Sequence, residues 1–385
     1  MKLAGAAMLT VLFASAPARS QETYLIGISA ALTGPAASTL AGAVEGLRLY
    51  IGKLNKSGGI NGRQITLNIL DDQAEPSKAA VNAKKLLTGD NVSLLINMSL
   101  SSTYAPMIAE TKRASVPMLF VGAVCPPDVY PPANEYLFCS TSYSAKHDGN
   151  AAVEFIKQRS GGDSKVGLAF MAIPIARLGA DSTEEFLVAN KIKMTSKEII
   201  PPATADYTPF ATKLMQDKPD WVYSWSPWVT EIKTFDALRK LGWKGQYALQ
   251  QQPETEKELM QLKDDKLFSL GSNAMFFEDL PIQKEIAAAA KDANSTYSAE
   301  QMADGWIGGM TIEMGLKAAG WPATPAKITA AMADLKIDTK GLRGGPIVWT
   351  KENHFRTKQY YRAYRWNPAK GGLEIVMDWK EYDIK

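Results

Sequence analysis

Residues suited to hydrogen bonding and stacking cluster in a few short segments of this chain. Asn97-Met98-Ser99-Leu100-Ser101-Ser102-Thr103-Tyr104 gathers hydroxyl side chains where an apolar run gives way to a helical pattern. A helix start presents unpaired N–H groups and partial positive charge, so it can hold a carboxylate without any lysine or arginine. Ser101 and Ser102 are therefore candidate carboxylate contacts, and simple N-capping is the other role open to them. Asp220-Trp221-Val222-Tyr223-Ser224-Trp225-Ser226-Pro227-Trp228 holds four large aromatics in eight positions. Trp221 and Tyr223 share one face of a strand-like run and suit a core. Trp225 and Trp228 fall at its exit, where they can stack on a flat ring or simply pack, stacking adding about 0.5–1.5 kcal/mol beyond burial. Arg177, in Met171-Ala172-Ile173-Pro174-Ile175-Ala176-Arg177, can clamp a carboxylate in bidentate fashion or sit exposed at a helix start. Asp71-Asp72 lacks a third ligand at metal-binding spacing and reads as a strand end capping the next helix. His147-Asp148 and His354 stand isolated. No phosphate loop, nucleophile elbow, dinucleotide fingerprint or zinc spacing is present, so neither cofactor nor metal is expected.

The elements that must position these residues alternate between strand and helix. Tyr24 to Ala31 is an apolar strand, Leu32-Thr33-Gly34-Pro35 breaks it, and Leu40, Val44, Leu47, Ile51 and Leu54 recur at helical spacing. Ser57-Gly58-Gly59-Ile60-Asn61-Gly62 stops that helix with residues that tolerate positive φ, and Gln64 to Leu70 is the next strand. Further strands are expected over Val92–Asn97, Val116–Gly122, Lys165–Met171, Lys193–Ile200, Trp221–Trp225, Gln246–Gln250, Leu267–Phe277, Gly345–Thr350, Gln359–Trp366 and Leu373–Met377. Helices are expected over Ser101–Ala114, Lys146–Gln158, Arg177–Asn190, Tyr207–Gln216, Val229–Leu241, Gln283–Lys291, Gln301–Ala319 and Pro325–Leu335. Right-handed βαβ units of this kind build α/β domains, here two doubly wound parallel sheets, whose ligands sit beyond the carboxyl ends of the strands.

Composition narrows the class. Met1 to Ser20 carries Lys2, an apolar stretch from Leu3 to Ala14 and Ala16-Pro17-Ala18, the pattern of a cleaved secretory signal too short to cross a bilayer. The chain has 385 residues, 46% of them hydrophobic, enough for two domains. Its formal charge of +3 includes Lys2 and Arg19 of the leader, leaving +1, and the basic residues are scattered, which argues against nucleic acid as a partner. Cys125 and Cys139 are the only cysteines, and an oxidising compartment permits a disulfide that would tie down the proline-rich loop between them; two buried thiols are the other reading.

The string IGISAALTGPAASTLAGAVEGLRLYIGKLNKSGGINGRQITLNILDDQAEPSKAAVNAKKLL resembles the opening of the branched-chain amino-acid (leucine/isoleucine/valine) class of substrate-binding proteins that serve ABC importers. It matches in order the Thr-Gly-Pro turn, Gly46, Gly58-Gly59-Ile60 with Gly62, Asp71-Asp72 and Ala79-Ala80. The resemblance implies the type I periplasmic binding fold. One lobe would comprise residues 21–140 plus 271–350 and the other 141–270 plus 351–385, with hinge crossings near Ser140, Leu270 and Thr350. It implies a free periplasmic monomer that captures a solute by hinge closure and hands it to a membrane permease.

Residue by residue, Ser101 falls on the family's carboxylate-binding serine and Ala123 on its alanine, while the family's threonine is replaced by Cys125. Ser38 and Thr39, after the Thr-Gly-Pro turn, would complete that wall. The family's tyrosine aligns with Pro227, between Trp225 and Trp228. The glutamate that meets an amino acid's ammonium is replaced by Gln251, which suits a hydroxyl, carbonyl or ether oxygen. A buried unpaired ammonium is costly, so the expected solute is a small organic acid, an aromatic carboxylate of benzoate or phenylpropanoid type. An aliphatic amide or amino-acid derivative, a secreted hydrolase and a sensory module delivering its ligand to a receptor are the competing readings. No nucleophile, base and orienter set supports the hydrolase.

Overall fold

A computed structural model describes residues 22–384 apart from Pro35, Gly161 and Gly162. The leader over residues 1–20 lies outside the described residues, as does the proline of the Thr-Gly-Pro turn.

The first sheet is built from β1 (Tyr24–Ala30), β2 (Ile65–Asp71), β3 (Leu94–Met98), β4 (Met118–Phe120) and β5 (Leu137–Cys139), all parallel in the order β2-β1-β3-β4-β5. Crossovers run through α1 (Ala37–Lys56), α2 (Pro76–Lys84) and α3 (Tyr104–Ala114), the last preceded by a 3-10 turn over Ser101–Thr103. The second sheet follows α4 (Ala145–Ser160). It contains β6 (Lys165–Met171), β7 (Lys193–Ile200), β8 (Trp221–Trp225), β9 (Gln246–Gln250) and β10 (Leu267–Gly271), with α5 (Pro174–Ala189), α6 (Thr208–Met215), α7 (Trp228–Lys240) and α8 (Thr255–Leu262) between strands. Then come α9 (Pro281–Asp292), α10 (Ala299–Ala319), α11 (Pro325–Met332) and the short antiparallel pair β11 (Lys336–Ile337) and β12 (Ile347–Val348). Last, β13 (Lys358–Asn367), antiparallel to β10, and β14 (Gly372–Asp383), antiparallel to β13, extend the second sheet, in the order β14-β13-β10-β9-β8-β6-β7.

Each sheet is covered on both faces, which is why its strands read as continuous apolar runs. In the first lobe, side chains of β1, β3, α1 and α9–α11 form one core, and α2 and α3 cover the opposite face. In the second lobe, α4 and α5 lie on one side, α6, α7 and α8 on the other. The glycines after α1 adopt positive φ as their types required: Gly58 at 101°, Gly59 at 68° and Gly62 at 77°. A Cβ on Gly59 would stand 1.9 Å from the Arg63 carbonyl oxygen, so that turn excludes any side chain.

Three connections run between the lobes, after β5, after β10 and after β12. Two buried arginines bind them together. Arg343 donates to the Ser140 carbonyl, to Asn273 Oδ1 at 3.1 Å and to Asp304 Oδ1 at 2.8 Å. Arg356 donates to the Thr141 carbonyl and to Gln359 Oε1, and Gln359 in turn donates to the Ser142 carbonyl at 2.7 Å.

Several sequence expectations need correction. The strand expected over 267–277 ends at Gly271, because Ser272 and Asn273 leave the sheet at a connection and Phe276–Glu278 forms a 3-10 turn. In the expected strand over 345–350 only Ile347–Val348 pairs. The sequence reading did not anticipate β5, α8 or β11.

Candidate functional site

In a doubly wound sheet the crevice opens where successive crossovers leave in opposite directions. That happens here beside β1 and β3 in the first sheet and beside β6 and β8 in the second. The loops that follow these four strands face one another across a cleft with about 500 Å3 of space, part of it open to solvent. Thr39 and Leu40 reach it from the first turn of α1, Ser99, Leu100 and Ser101 from the exit of β3, Ile173 and Ile175 from the start of α5, and Trp225, Ser226 and Pro227 from the entry to α7. Gly122, Ala123 and Val124 after β4, Tyr104, Tyr143, Gln250 and Gln252 complete the wall. None of the lining residues is charged.

Four helix starts thus point at one uncharged space. The backbone N–H groups of Ser101 and Ala123 make no hydrogen bond among the described residues, so this end of the cavity offers free donors. Ser101 Oγ sits 3.5 Å from the Ile175 N–H, joining the lobes across the cavity. Such a set attracts a carboxylate through aligned dipoles. The first-lobe wall is fixed from behind: Asp72 accepts from Ser99 Oγ at 2.6 Å, Ser29 Oγ at 2.7 Å and the Ala74 N–H at 2.8 Å. Burial raises the Asp72 carboxyl above its ordinary value, and the serine and backbone donors oppose that rise. Tyr104 donates to the Val124 carbonyl at 2.7 Å and so ties α3 to the loop after β4.

The second-lobe wall is held by two buried carboxyls. Asp148 accepts from Trp225 Nε1 at 2.9 Å, Tyr361 OH at 2.8 Å and the Ser144 N–H at 3.0 Å, and burial raises it to about 6. The Trp225 ring is backed by Phe170, centroids 6.5 Å apart at 20°. Glu231 accepts from the Ser226 and Gln250 N–H groups at 3.3 and 3.1 Å through one oxygen and from Gln252 Nε2 at 3.1 Å through the other. Burial pushes its carboxyl well above the ordinary carboxylate range.

Of the residues singled out from the sequence, Thr39, Ser101, Ala123 and Trp225 line the cavity, and the others do not. Ser38 is exposed on α1, and Arg177 is exposed on α5. Ser102 Oγ donates to the Ala74 carbonyl at 3.1 Å. Cys125 is bonded to Cys139 and wholly buried, so its sulfur has no proton to donate to a ligand. Trp228 packs against the α6, α7 and α8 side of the second core. Gln251 turns away, its Oε1 accepting from the Asn273 N–H at 3.3 Å, and lines a neighbouring hollow with Glu256, Glu300 and Asp304. Asp71-Asp72 does not cap α2, whose N-cap Glu75 carries no side-chain bond; both carboxylates bind the loops after β1 and β3. His147-Asp148 is not isolated once folded. Sequence reasoning missed Glu231, whose one signal was a lone carboxylate inside the buried stripe of α7.

Among the described residues no helix is long and apolar enough to cross a membrane, and no group of His, Cys, Asp and Glu could hold a metal ion. A family model described as periplasmic binding protein matches residues 23–372. The Leu/Ile/Val-binding protein BraC3 of Rhizobium johnstonii is 25% identical over 198 residues, 51% of this chain and 53% of that one. The chain spans about half the length of the curated relatives it matches first, 53% and 56%. Among solved structures, the solute-binding protein of an ABC transporter from Rhodopseudomonas palustris BisB5, in complex with 3,4-dihydroxybenzoic acid, is similar with a TM-score of 0.79 at 19% identity, covering 94% of this chain and 98% of that one. A branched-chain amino acid ABC transporter protein from Thermus thermophilus with bound valine is similar with a TM-score of 0.80 at 15% identity, covering 94% and 97%.

Proposed function

The chain belongs to the periplasmic binding protein family, and from that membership we propose that it is the solute-capturing component of an ABC importer, working in the periplasm on a small aromatic carboxylic acid. The reading rests on one observation: the cavity between the lobes is lined without a single charged side chain yet is ringed by helix starts, with Trp225, Tyr104 and Tyr143 in its wall. An α-amino acid would bring an ammonium that finds no carboxylate there, a desolvation cost of several kcal/mol. A lone carboxylate meets the free N–H groups of Ser101 and Ala123 and the Ser101 hydroxyl, while Trp225 offers a flat face to a ring. The similar structures were solved with a dihydroxybenzoate and with valine; at 19% and 15% identity both speak to the shared fold, and the ligand class is read from the cavity wall.

The mechanism is capture without bond making. The solute enters between open lobes, the loops of both lobes close on it by bending at the three connections, and the closed form docks on a permease that opens it again. Ligand-induced shifts in melting temperature test this on protein stripped of carried-over solute by unfolding and refolding. Benzoates or cinnamates should raise the midpoint, and Ser101→Ala or Trp225→Ala should remove most of the rise. Stabilisation by α-amino acids alone would overturn the ligand class.

A further inference from the structure

The second-lobe wall of the cavity carries polar side chains with no partner among the described residues. Gln250, the last residue of β9, is 5% exposed and lines the cavity. Its N–H is taken by Glu231, but its carboxamide has no hydrogen-bond partner among the described residues. Ser226, 3% exposed, also lines the cavity, and its hydroxyl is likewise without a partner. A buried polar group left unpaired costs about 1–3 kcal/mol.

The neighbouring Gln252 shows that this is selective. Its carboxamide is fully used, accepting from the Trp228 N–H at 3.1 Å and donating to the Ser226 carbonyl and to Glu231 Oε2. Glu231 therefore fixes the backbone of Ser226 and Gln250 and the amide of Gln252, leaving the Gln250 carboxamide held in place on the cavity wall, while the Ser226 hydroxyl is closed off within the protein. β8 and β9 are parallel neighbours with Ser224 opposite Leu249, so the next pair at the ends of the strands is Trp225 beside Gln250.

We propose that Gln250 reads a hydroxyl group on the aromatic ring, so that the solute is a hydroxylated aromatic acid and not its unsubstituted parent. This rests on the aromatic-acid reading above. A carboxamide offers both an acceptor and a donor, and a phenol both donates and accepts, so a ring hydroxyl can donate to Gln250 Oε1 or accept from Gln250 Nε2. A site built to hydrogen-bond a hydroxyl rejects an analogue lacking it, because its own buried groups then stay unpaired.

Calorimetric titration of ligand-free protein with matched pairs, hydroxy- and methyl-substituted benzoates and cinnamates of the same shape, tests this. At least one hydroxyl acid should bind tenfold or more tightly than its methyl partner. Gln250→Met should bring that ratio below threefold. Gln250→Leu provides the same comparison should Gln250→Met fail to fold. Equal binding of hydroxyl and methyl partners by the wild type, or a variant that weakens both equally, would overturn the proposal while leaving the aromatic-acid reading intact. Failure of every aromatic acid, with binding of amino acids instead, would sink both.

Discussion

Asp148 shows how a residue outside the cavity sets its shape. Its carboxylate receives three donors, among them the indole N–H of Trp225. Asp148→Ala leaves all three unpaired and should lower stability by about 3 kcal/mol or more, measured by denaturant unfolding. Asp148→Asn should be far milder. Its amide oxygen can take over the two bonds made by Oδ2, and the Tyr361 hydroxyl can rotate to accept from the new NH2. The two proteins should differ in pH dependence. Burial raises the folded Asp148 from an ordinary 3.8 to about 6, so the native state holds this proton more tightly than the unfolded chain. Stability from this group is present below about pH 4 and is lost as pH rises through about 6. The midpoint of the wild type relative to Asp148→Asn should therefore fall between pH 4 and pH 7; a difference that stays flat over that range would contradict the assignment.

At the scale of elements, α1 and α10 approach so closely that each needs glycine where they meet. A Cβ on Gly305 would lie 1.7 Å from the Ala43 carbonyl oxygen, and one on Gly46 would lie 2.2 Å from that of Met302. Gly305→Ala should therefore cost about 3 kcal/mol or more and displace the helix whose first turn carries Thr39, readable as a lowered unfolding midpoint together with weaker ligand binding. Strands and helices with unbroken apolar patterns were legible: β6, β7, β8 and β9 begin and end where the residue types say. What could not be read was which face a residue takes once the chain leaves a strand. Successive side chains alternate, so an offset of one residue exchanges cavity for back wall. Gln251 was the expected contact, and Gln250 and Gln252 are the ones that face the solute space. Trp228 was expected beside Trp225 but begins α7, whose geometry swings its ring into the second core. The carboxylates behind the wall escaped notice because Asp148 meets Tyr361 from 213 positions away, a closeness only the fold creates.

For the whole molecule, the connections between lobes are organised by charge buried where the chain must bend. Arg343 joins the first connection at Ser140, the second at Asn273 and α10 at Asp304. Arg343→Met would strand Asp304 in the interior and should destabilise the protein by about 3–5 kcal/mol in urea unfolding. A variant of unchanged stability would show that the arginine serves only to steer the bend. Three successive carbonyls, of Ser140, Thr141 and Ser142, are held by side chains arriving from the C-terminal part of the chain, so the first connection is set by residues some 200 positions later.

The uncharged lining of the cavity carries a consequence for the surroundings in which the protein works. Mobile ions weaken attraction between exposed charges over a Debye length of about 10 Å at 0.1 M, but they act little on buried amides that replace a carboxylate's water shell. The grip on the solute therefore does not depend on the ionic strength outside. With a formal charge of only +3, the molecule also exerts little long-range pull on an anion. If the solute is the carboxylate proposed above, its capture would proceed at the same unsteered pace at low and at high salt, because lysine and arginine are kept out of the site.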